Sequence, residues 1–177
     1  MYYNLLKCVA EGITFQNKEA VYLEMGVRTG DSFNVIAPFF KQAYAVEMNS
    51  AYLPCVSGNV NLNWFCTTTQ SFIKKLETGE IKEKFNMVFI DADHKHENSL
   101  ADFLGISKYV VDGGLIILHD TYPKNEFEEQ QCYCWDTYKT AWYIRQNCKE
   151  DFEIVTLPFY HGLSIVRKAN KQLLWKD

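Results

Sequence analysis

Features typical of several protein classes are missing from this 177-residue sequence. No apolar run approaches the roughly 20 residues that span a bilayer, so we expect no membrane partner. Basic residues are not in excess, because 18 lysines and arginines stand against 22 aspartates and glutamates, and the net charge of -4 disfavours nucleic acid as a partner. No repeat or Pro/Gly/Ser-rich linker divides the chain, and its length predicts a single domain over residues 1–177.

The cysteines show no disulfide framework. They are scattered along the chain as Cys8, Cys55, Cys66, Cys132, Cys134 and Cys148. The absence of a CxxC pair and of a signal peptide predicts reduced thiols and a cytoplasmic location. Cys132 and Cys134 flank one tyrosine and could meet a metal, but no second Cys/His pair at suitable spacing accompanies them, so a metal is the less favoured interpretation.

Short apolar runs alternate with helical patterns, which is typical of helices packed around a mostly parallel sheet. The runs predict strands at 20–24, 43–47, 63–66, 87–91 and 115–119, and the patterns between and after them predict helices at 32–40, 50–57, 70–77, 97–111 and 137–148. Two last runs, at 152–157 and 163–167, predict an antiparallel hairpin at the sheet edge. The predicted fold class is therefore α/β, with a doubly wound, mostly parallel seven-stranded sheet and a C-terminal antiparallel hairpin.

The clearest motif follows the first predicted strand and reads Glu-Met-Gly-Val-Arg-Thr-Gly-Asp-Ser over residues 24–32. Glu24 ends the strand, the two glycines, Gly26 and Gly30, allow a ligand to approach the backbone, and Ser32 opens a helix. The spacing differs from the GxGxxG loop that holds a pyrophosphate. The motif therefore favours a zwitterionic ligand without phosphate, although an ordinary strand-to-helix turn would also explain it.

An acid also ends the second predicted strand, within the sequence Glu47-Met48-Asn49. Glu47 lies 21 positions after Gly26, close to the spacing at which a carboxylate binds ribose hydroxyls. The alternative is a solvated glutamate that caps the next helix. Thr69-Gln70 opens the helix after the third strand and, taken alone, would also be explained as a helix cap.

Residues 21–122 resemble the small O-methyltransferases typified by catechol and caffeoyl-coenzyme A O-methyltransferases, within the Rossmann-like class I methyltransferases that use S-adenosylmethionine. The resemblance implies that residues 24–32 hold the methionine part of the cofactor, that Glu47 and Met48 bind its ribose and adenine, and that residues 69–70 touch adenine. The cofactor contacts that it implies are Glu24, Gly26, Gly30, Ser32, Glu47, Met48, Thr69, Gln70 and Asp91.

Two aspartates follow the fourth and fifth predicted strands, whose carboxyl ends lie at one edge of a parallel sheet. The resemblance implies that Asp91 and Asp120 act in catalysis as ligands of Mg2+ or another divalent cation, which would lower the pKa of an acceptor hydroxyl. The resembled enzymes have Asp-Asn where this chain has Asp120-Thr121, so a weaker hydroxyl replaces one ligand. Whether a metal is required stays open, and the alternative is that both aspartates only cap strand ends.

His94 occupies the position of the resembled family's general-base lysine, three residues after Asp91. We predict that it accepts the acceptor's proton, although a solvent-facing histidine is the alternative. Strand alternation predicts that His119 points away from Asp120 and packs structurally. His161 is predicted to be a surface residue in the hairpin turn.

The predicted function is transfer of a methyl group from S-adenosylmethionine to an oxygen of a small-molecule acceptor. Roughly twenty residues precede the first strand, fewer than in the resembled enzymes, so we expect residues 122–135 or the second subunit of a homodimer to close the acceptor pocket. One alternative is an NAD-linked oxidoreductase, which the missing GxGxxG disfavours. The other is a catalytically inactive module that binds S-adenosylmethionine, which the replacement at Thr121 supports.

Overall fold

A seven-stranded sheet forms the centre of the computed structural model, which describes residues 2–52 and 61–169. The strands are β1 (Val21–Met25), β2 (Gln42–Glu47), β3 (Asn61–Cys66), β4 (Phe85–Ile90), β5 (Val110–His119), β6 (Phe152–Leu157) and β7 (Leu163–Lys168). Their order is β3-β2-β1-β4-β5-β7-β6, in which β1 to β5 are parallel and β7 and β6 are antiparallel additions at one edge. The predicted fold class is confirmed.

Helices cover both faces of the sheet. They are α1 (Tyr3–Gln16), α2 (Phe33–Ile36), α3 (Thr69–Glu77), α4 (His96–Ile106) and α5 (Tyr138–Asn147). Phe72, Phe103 and Ile144 bring α3, α4 and α5 into one buried cluster, and Leu6 and Ile36 bring α1 and α2 into the other. Because each fully buried side chain of this size contributes about 1.5–3 kcal/mol, the two clusters hold the strand ends in fixed positions.

The winding direction of the chain changes between β1 and β4. From β1 the chain proceeds to β2 and β3 on one side, and then returns to β4 and β5 on the other side. Connections that leave β1 and β4 in opposite directions open a crevice at the carboxyl ends of these two strands, which is where open α/β sheets bind ligands.

Several predicted boundaries are wrong. The helix predicted at 97–111 ends at Ile106, and a 3-10 turn at 107–109 leads into β5, whose Val110 already pairs with Phe85. Gly113 lies in a bulge within β5, at a positive φ of 79°. The helix predicted at 32–40 breaks after α2 into a 3-10 turn containing Pro38, which lacks the N–H that a continued helix needs.

The helix α1 was not predicted at all. It begins after Tyr2 without any capping side chain, so the usual helix-start signal is missing from the sequence. The helix predicted at 50–57 lies mostly outside the described residues.

None of the helices in residues 2–52 and 61–169 combines the length and apolar character that crossing a membrane requires. The cysteines in the same residues are free thiols: Cys8, Cys66 and Cys132 are exposed, Cys148 is half-buried and Cys134 is buried.

Candidate active site

A cleft of about 990 Å³ opens at the carboxyl ends of β1, β2, β4 and β5, a size suited to a cofactor together with part of a second ligand. The predicted site residues that line it are Gly26, Ser32, Glu47, Met48, Thr69, Gln70, Asp91, His94 and Asp120. Glu24 and Gly30 are buried and lie behind this lining. The structure therefore brings most of the predicted residues to one place.

Gly26 sits where the loop after β1 crosses the end of β4. Its φ is +88°, and a Cβ atom on this residue would lie 2.2 Å from the carbonyl oxygen of Asp91. Its N–H donates to the carbonyl of Val46 on β2, with an N···O distance of 2.9 Å. Only glycine fits this position, and the loop's backbone consequently forms the floor of the cleft.

Glu24 is fully buried at the end of β1 and accepts two hydrogen bonds. Ser32 Oγ donates to one carboxylate oxygen and the Tyr22 hydroxyl donates to the other, each at 2.5 Å. Burial raises the pKa of Glu24 to about 8, although both hydrogen bonds work in the opposite direction. Because both oxygens are occupied, Glu24 fixes Ser32 and the loop from behind the cleft.

Glu47 is held at the end of β2 by two backbone N–H groups. Arg28 donates to Oε2 and Asn49 donates to Oε1, both at 2.9 Å. The carboxylate thus joins the β1 loop to the β2 end and retains lone pairs for a ligand. Met48 beside it is 73% exposed and offers an apolar surface at the same end of the cleft.

The start of α3 forms another wall of the cleft. Its N-cap is Thr68, whose Oγ1 accepts from the Ser71 N–H at 3.2 Å, so Thr69 is the first helical residue and not the cap. The Gln70 side-chain amide donates to Asp102 Oδ1 at 2.6 Å. Because its nitrogen is engaged in this way, the amide of Gln70 presents chiefly its oxygen to a ligand.

Two aspartates and two histidines form a compact cluster at the ends of β4 and β5. His94 Nε2 lies 3.1 Å from Asp120 Oδ2 and 3.5 Å from Asp91 Oδ1. His119 Nδ1 lies at the same two distances from the same two oxygens, as ion pairs without hydrogen-bond geometry. Burial raises the pKa of Asp91, but the two histidines outweigh it and hold that pKa well below its ordinary value.

His119 was predicted to point away from Asp120, and this is wrong. Asp120 has a positive φ of 58°, so the chain leaves the extended conformation after His119 and strand alternation no longer applies. Burial lowers the pKa of His119, but the adjacent carboxylates of Asp120 and Asp91 outweigh it and raise the pKa to about 10. His119 therefore belongs to the cluster.

His94 is held by its second ring nitrogen. Nδ1 contacts the backbone carbonyl of Tyr133, which can only accept, so Nδ1 carries a proton and Nε2 faces the carboxylates. Burial lowers the pKa of His94, but the hydrogen bond that it donates to Asp91 and the charges of both aspartates raise it overall to about 9. Without a compensating cation nearby, the ring is protonated at neutral pH.

Thr121 does not contribute to the cluster. It is 3% exposed, and its Oγ1 accepts from Ser164 Oγ of β7 at 2.8 Å, away from the cleft. The expectation that its hydroxyl replaces a metal ligand is therefore wrong. Asp91, Asp120 and His119 instead place one possible ligand atom each within 4.8 Å of one another.

The acceptor side of the cleft is lined by one segment that the sequence indicated and by several residues that it did not. Tyr2 and Tyr3 reach the cleft from α1, and the Tyr2 ring lies 4.7 Å from that of His119, centroid to centroid. Tyr133 from the segment before α5 also lines it, as expected for residues 122–135. His161 was predicted to be a surface residue, but it lines the cleft too, because the hairpin turn folds over the end of β5. Nothing in the sequence signals the contributions of Tyr2, Tyr3 and His161 to this wall.

Comparison with known families identifies the chain. Residues 23–121, which run from within β1 to just beyond β5 and include every predicted site residue, match the model of a family described as a methyltransferase domain. The chain belongs to this methyltransferase family. The resemblance to class I methyltransferases is confirmed, and the alternative of an NAD-linked oxidoreductase is set aside. No curated protein sequence matches the chain.

Solved structures share the fold at low sequence identity. An O-methyltransferase from Bacillus cereus in complex with SAH is 17% identical with a TM-score of 0.71, over 94% of this chain and 80% of that one. An rRNA methylase from Streptococcus thermophilus is 14% identical with a TM-score of 0.64, over 96% and 95%. MycE from the mycinamycin pathway, in complex with Mg, SAH and mycinamycin VI, is 17% identical with a TM-score of 0.62, over 99% and 51%. Since these names span different acceptors, the fold alone does not identify the acceptor of this chain.

Proposed function

We propose that this methyltransferase binds S-adenosylmethionine in the cleft and transfers its methyl group to an oxygen of a small molecule. One observation carries the proposal: the β1 loop and Glu47 line the same cleft as the Asp91, His94, His119 and Asp120 cluster. A loop suited to a zwitterion and a carboxylate suited to ribose thus lie beside a group of proton-binding side chains. The SAH in the Bacillus cereus and MycE structures agrees with this cofactor.

The cofactor would lie along the loop between β1 and α2. The backbone around Gly26 and the Ser32 side chain would hold the methionine part, with Asp91 near its amine. Glu47 would accept hydrogen bonds from both ribose hydroxyls. Met48 would cover the adenine ring, and the side-chain oxygen of Gln70 would accept from its amino group.

Methyl transfer requires mostly positioning. The acceptor oxygen attacks the methyl carbon in line, the C–S bond breaks, and its electron pair stays on sulfur to give S-adenosylhomocysteine. The hydroxyl proton goes to His94 Nε2, the nitrogen that faces Asp91 and Asp120. His94 can accept it only when its ring is neutral, which at neutral pH requires a pKa below its value of about 9 in the chain alone.

A divalent cation fits this cluster. Asp91, Asp120 and His119 would hold it, because two carboxylates and an imidazole nitrogen converge there without competing hydrogen bonds to His119. Such an ion lowers the pKa of a bound hydroxyl and offsets the two carboxylate charges. With such an ion bound, the charges of Asp91 and Asp120 would raise the pKa of His94 less, and His94 would be available as a base. The Mg in the MycE structure agrees with a cation in this fold.

A small acceptor fits the lining of the remaining space. Tyr2, Tyr3 and Tyr133 give it aromatic walls, and the net charge of -4 disfavours a polyanion. These walls come from the chain itself, and the homodimer considered from the sequence stays a prediction. An acidic, aromatic pocket favours a neutral or cationic hydroxylated ring as acceptor.

Transfer of a labelled methyl group tests the proposal. Purified protein is incubated with S-adenosylmethionine carrying a labelled methyl group and with catechols, sugars or a cell extract, in parallel with Mg2+, with Mn2+ and with a chelator. We expect label in an oxygen-linked methyl group of a small product. Label in RNA would show that the acceptor is RNA and not a small molecule. Binding of the cofactor without any transfer would instead support an inactive binding module.

A further inference from the structure

Asp120 has a second set of neighbours around Oδ1, the carboxylate oxygen that does not face the two histidines of the catalytic cluster. Its Oδ1 lies 3.7 Å from the Sγ of Cys134, which is completely buried. His161 completes the group, and one ligand atom from each of the three residues lies within 4.8 Å of the others. The three side chains come from three separate segments: the end of β5, the segment before α5, and the hairpin turn between β6 and β7.

The spacing of these atoms suits one metal ion. Zn2+ binds cysteine sulfur at about 2.3 Å and nitrogen or oxygen at about 2.0–2.2 Å, so donor atoms in a tetrahedral site lie about 3.3–3.8 Å apart. The 3.7 Å between Sγ and Oδ1 falls in this range. A thiol, an imidazole and a carboxylate are also the usual zinc donors, whereas Mg2+ prefers oxygen alone.

The surroundings satisfy these polar atoms only weakly. The buried Nδ1 of His161 lies 3.4 Å from Glu128 Oε2 but has no hydrogen-bond partner among the described residues. A metal bound through Nε2 would leave Glu128 to orient the ring from the Nδ1 side, as outer carboxylates do at metal-bound histidines. The Cys134 thiol makes only long, weak hydrogen bonds, to Asp120 Oδ1 and to the His161 carbonyl at 3.8 Å.

The geometry points to a cation site formed by Asp120, Cys134 and His161, selective for Zn2+ or another thiol-binding ion. It is distinct from the site beside Asp91 and His119 and shares only Asp120 with it, through the other carboxylate oxygen. Three protein ligands leave a fourth position open for water or substrate. A bound ion fixes the acceptor-side wall, because it joins the hairpin turn to the segment that carries Tyr133. This inference does not depend on the identity of the methyl donor or acceptor.

Cobalt titration tests the site, because Co2+ takes zinc positions and a cobalt–thiolate bond gives a charge-transfer band in the near ultraviolet. Full-length, metal-free protein is titrated with Co2+ and then with Zn2+. We expect the band to rise to saturation and to disappear as Zn2+ displaces the cobalt beside the thiolate. Cys134→Ser should abolish the band, and Cys132→Ser, which changes an exposed cysteine two residues away, should keep it.

Two more variants make every result decisive. Asp91→Asn damages the neighbouring cluster and should keep the thiolate band, which separates the two sites. His161→Ala should weaken Co2+ binding by at least about tenfold, and it decides the matter if Cys134→Ser fails to fold by circular dichroism. No band in the wild-type protein, a band that survives in folded Cys134→Ser, or unchanged affinity in His161→Ala would each overturn the inference.

Discussion

The two halves of the cleft are built differently. The half assigned to the cofactor is lined mainly by the ends of β1, β2 and β4 and the segments that follow them. The acceptor half is lined by residues from α1, the end of β5, the segment before α5 and the hairpin turn. In the first half, backbone groups and neighbouring loops hold each other, as the Arg28 and Asn49 N–H groups hold Glu47. In the second half, side chains distant in sequence meet around two aspartates. The first half is therefore a property of the fold, and the second half is a property of this particular chain.

The largest effect is expected where the two halves touch, at Gly26. Gly26→Ala should abolish cofactor binding and destabilise the chain, because the positive φ costs about 1–3 kcal/mol and the added Cβ would meet the Asp91 carbonyl at 2.2 Å. Thermal unfolding and calorimetric titration with S-adenosylmethionine measure both effects. Gly79→Ala is the matched control, since Gly79 also has a positive φ, of 75°, but nothing lies within 4 Å of its Cβ position. If both variants lost the same stability and the same affinity for S-adenosylmethionine, the close contact between Gly26 and the Asp91 carbonyl would not be the cause.

The next prediction distinguishes the acceptor half from the cofactor half, because it concerns kcat and not the affinity for the cofactor. His94→Gln should lower kcat by about 10²–10⁴-fold, the usual contribution of a general base, and should change the affinity for S-adenosylmethionine only slightly. His96→Gln is the control, because His96 contacts Thr140 on α5 and does not line the cleft. Steady-state kinetics and calorimetry on the same samples give both numbers. A His94 variant with unchanged kcat would exclude this residue as the base.

The pH dependence of kcat also tests whether His94 is the base. Because His94 must be neutral to act and has a pKa of about 9 in the chain alone, activity should rise with pH through that range when a chelator is present. A divalent cation should move the rise to lower pH, because it offsets the charges of Asp91 and Asp120. A rising limb at the same pH with and without metal would contradict a cation beside these carboxylates.

A substitution in the cofactor half should instead change the affinity for S-adenosylmethionine. Glu47→Gln should weaken binding of S-adenosylmethionine by roughly 10- to 100-fold, since a hydrogen bond to a charged acceptor contributes about 1.5–3 kcal/mol. Glu97→Gln, at an exposed glutamate paired with Lys95, should have no effect. Calorimetry compares the two variants. A Glu47 variant that binds normally but turns over slowly would reverse the assignment of the two halves.

The smallest effect concerns Glu24, which acts from behind the cleft. Its folded pKa of about 8 exceeds its ordinary value of 4.5, so the folded chain binds the extra proton and Glu24 makes stability fall as the pH rises from about 5 to 8. Glu24→Gln should make this slope shallower by up to about 1.4 kcal/mol per pH unit. Urea unfolding at several pH values measures it, with Glu19→Gln at an exposed position as the control. Parallel slopes in the wild type and Glu24→Gln would show that Glu24 is not protonated at neutral pH.

The two halves also differ in how far the sequence could predict them. The β1 loop, Glu47 and Asp91 follow strand ends directly, so strand order alone brings them to one edge. His119 could not be placed in this way, because its orientation depends on the left-handed backbone of Asp120, which is unusual for a residue other than glycine. Tyr2 and His161 were missed because α1 lacks a capping signal and because the fold of the hairpin turn over β5 is a long-range contact. Local patterns predict the scaffold, but contacts between distant segments decide the acceptor wall.

The loop after β1 and Glu47 at the end of β2 are proposed to hold S-adenosylmethionine and its demethylated product. Calorimetric titration of the folded wild-type chain with S-adenosylhomocysteine, alongside an identical titration with NADH, tests this proposal most directly. We predict saturable binding of one S-adenosylhomocysteine per chain and no heat of binding with NADH. Folded protein that takes up no S-adenosylhomocysteine, or that binds both compounds equally well, would contradict the account.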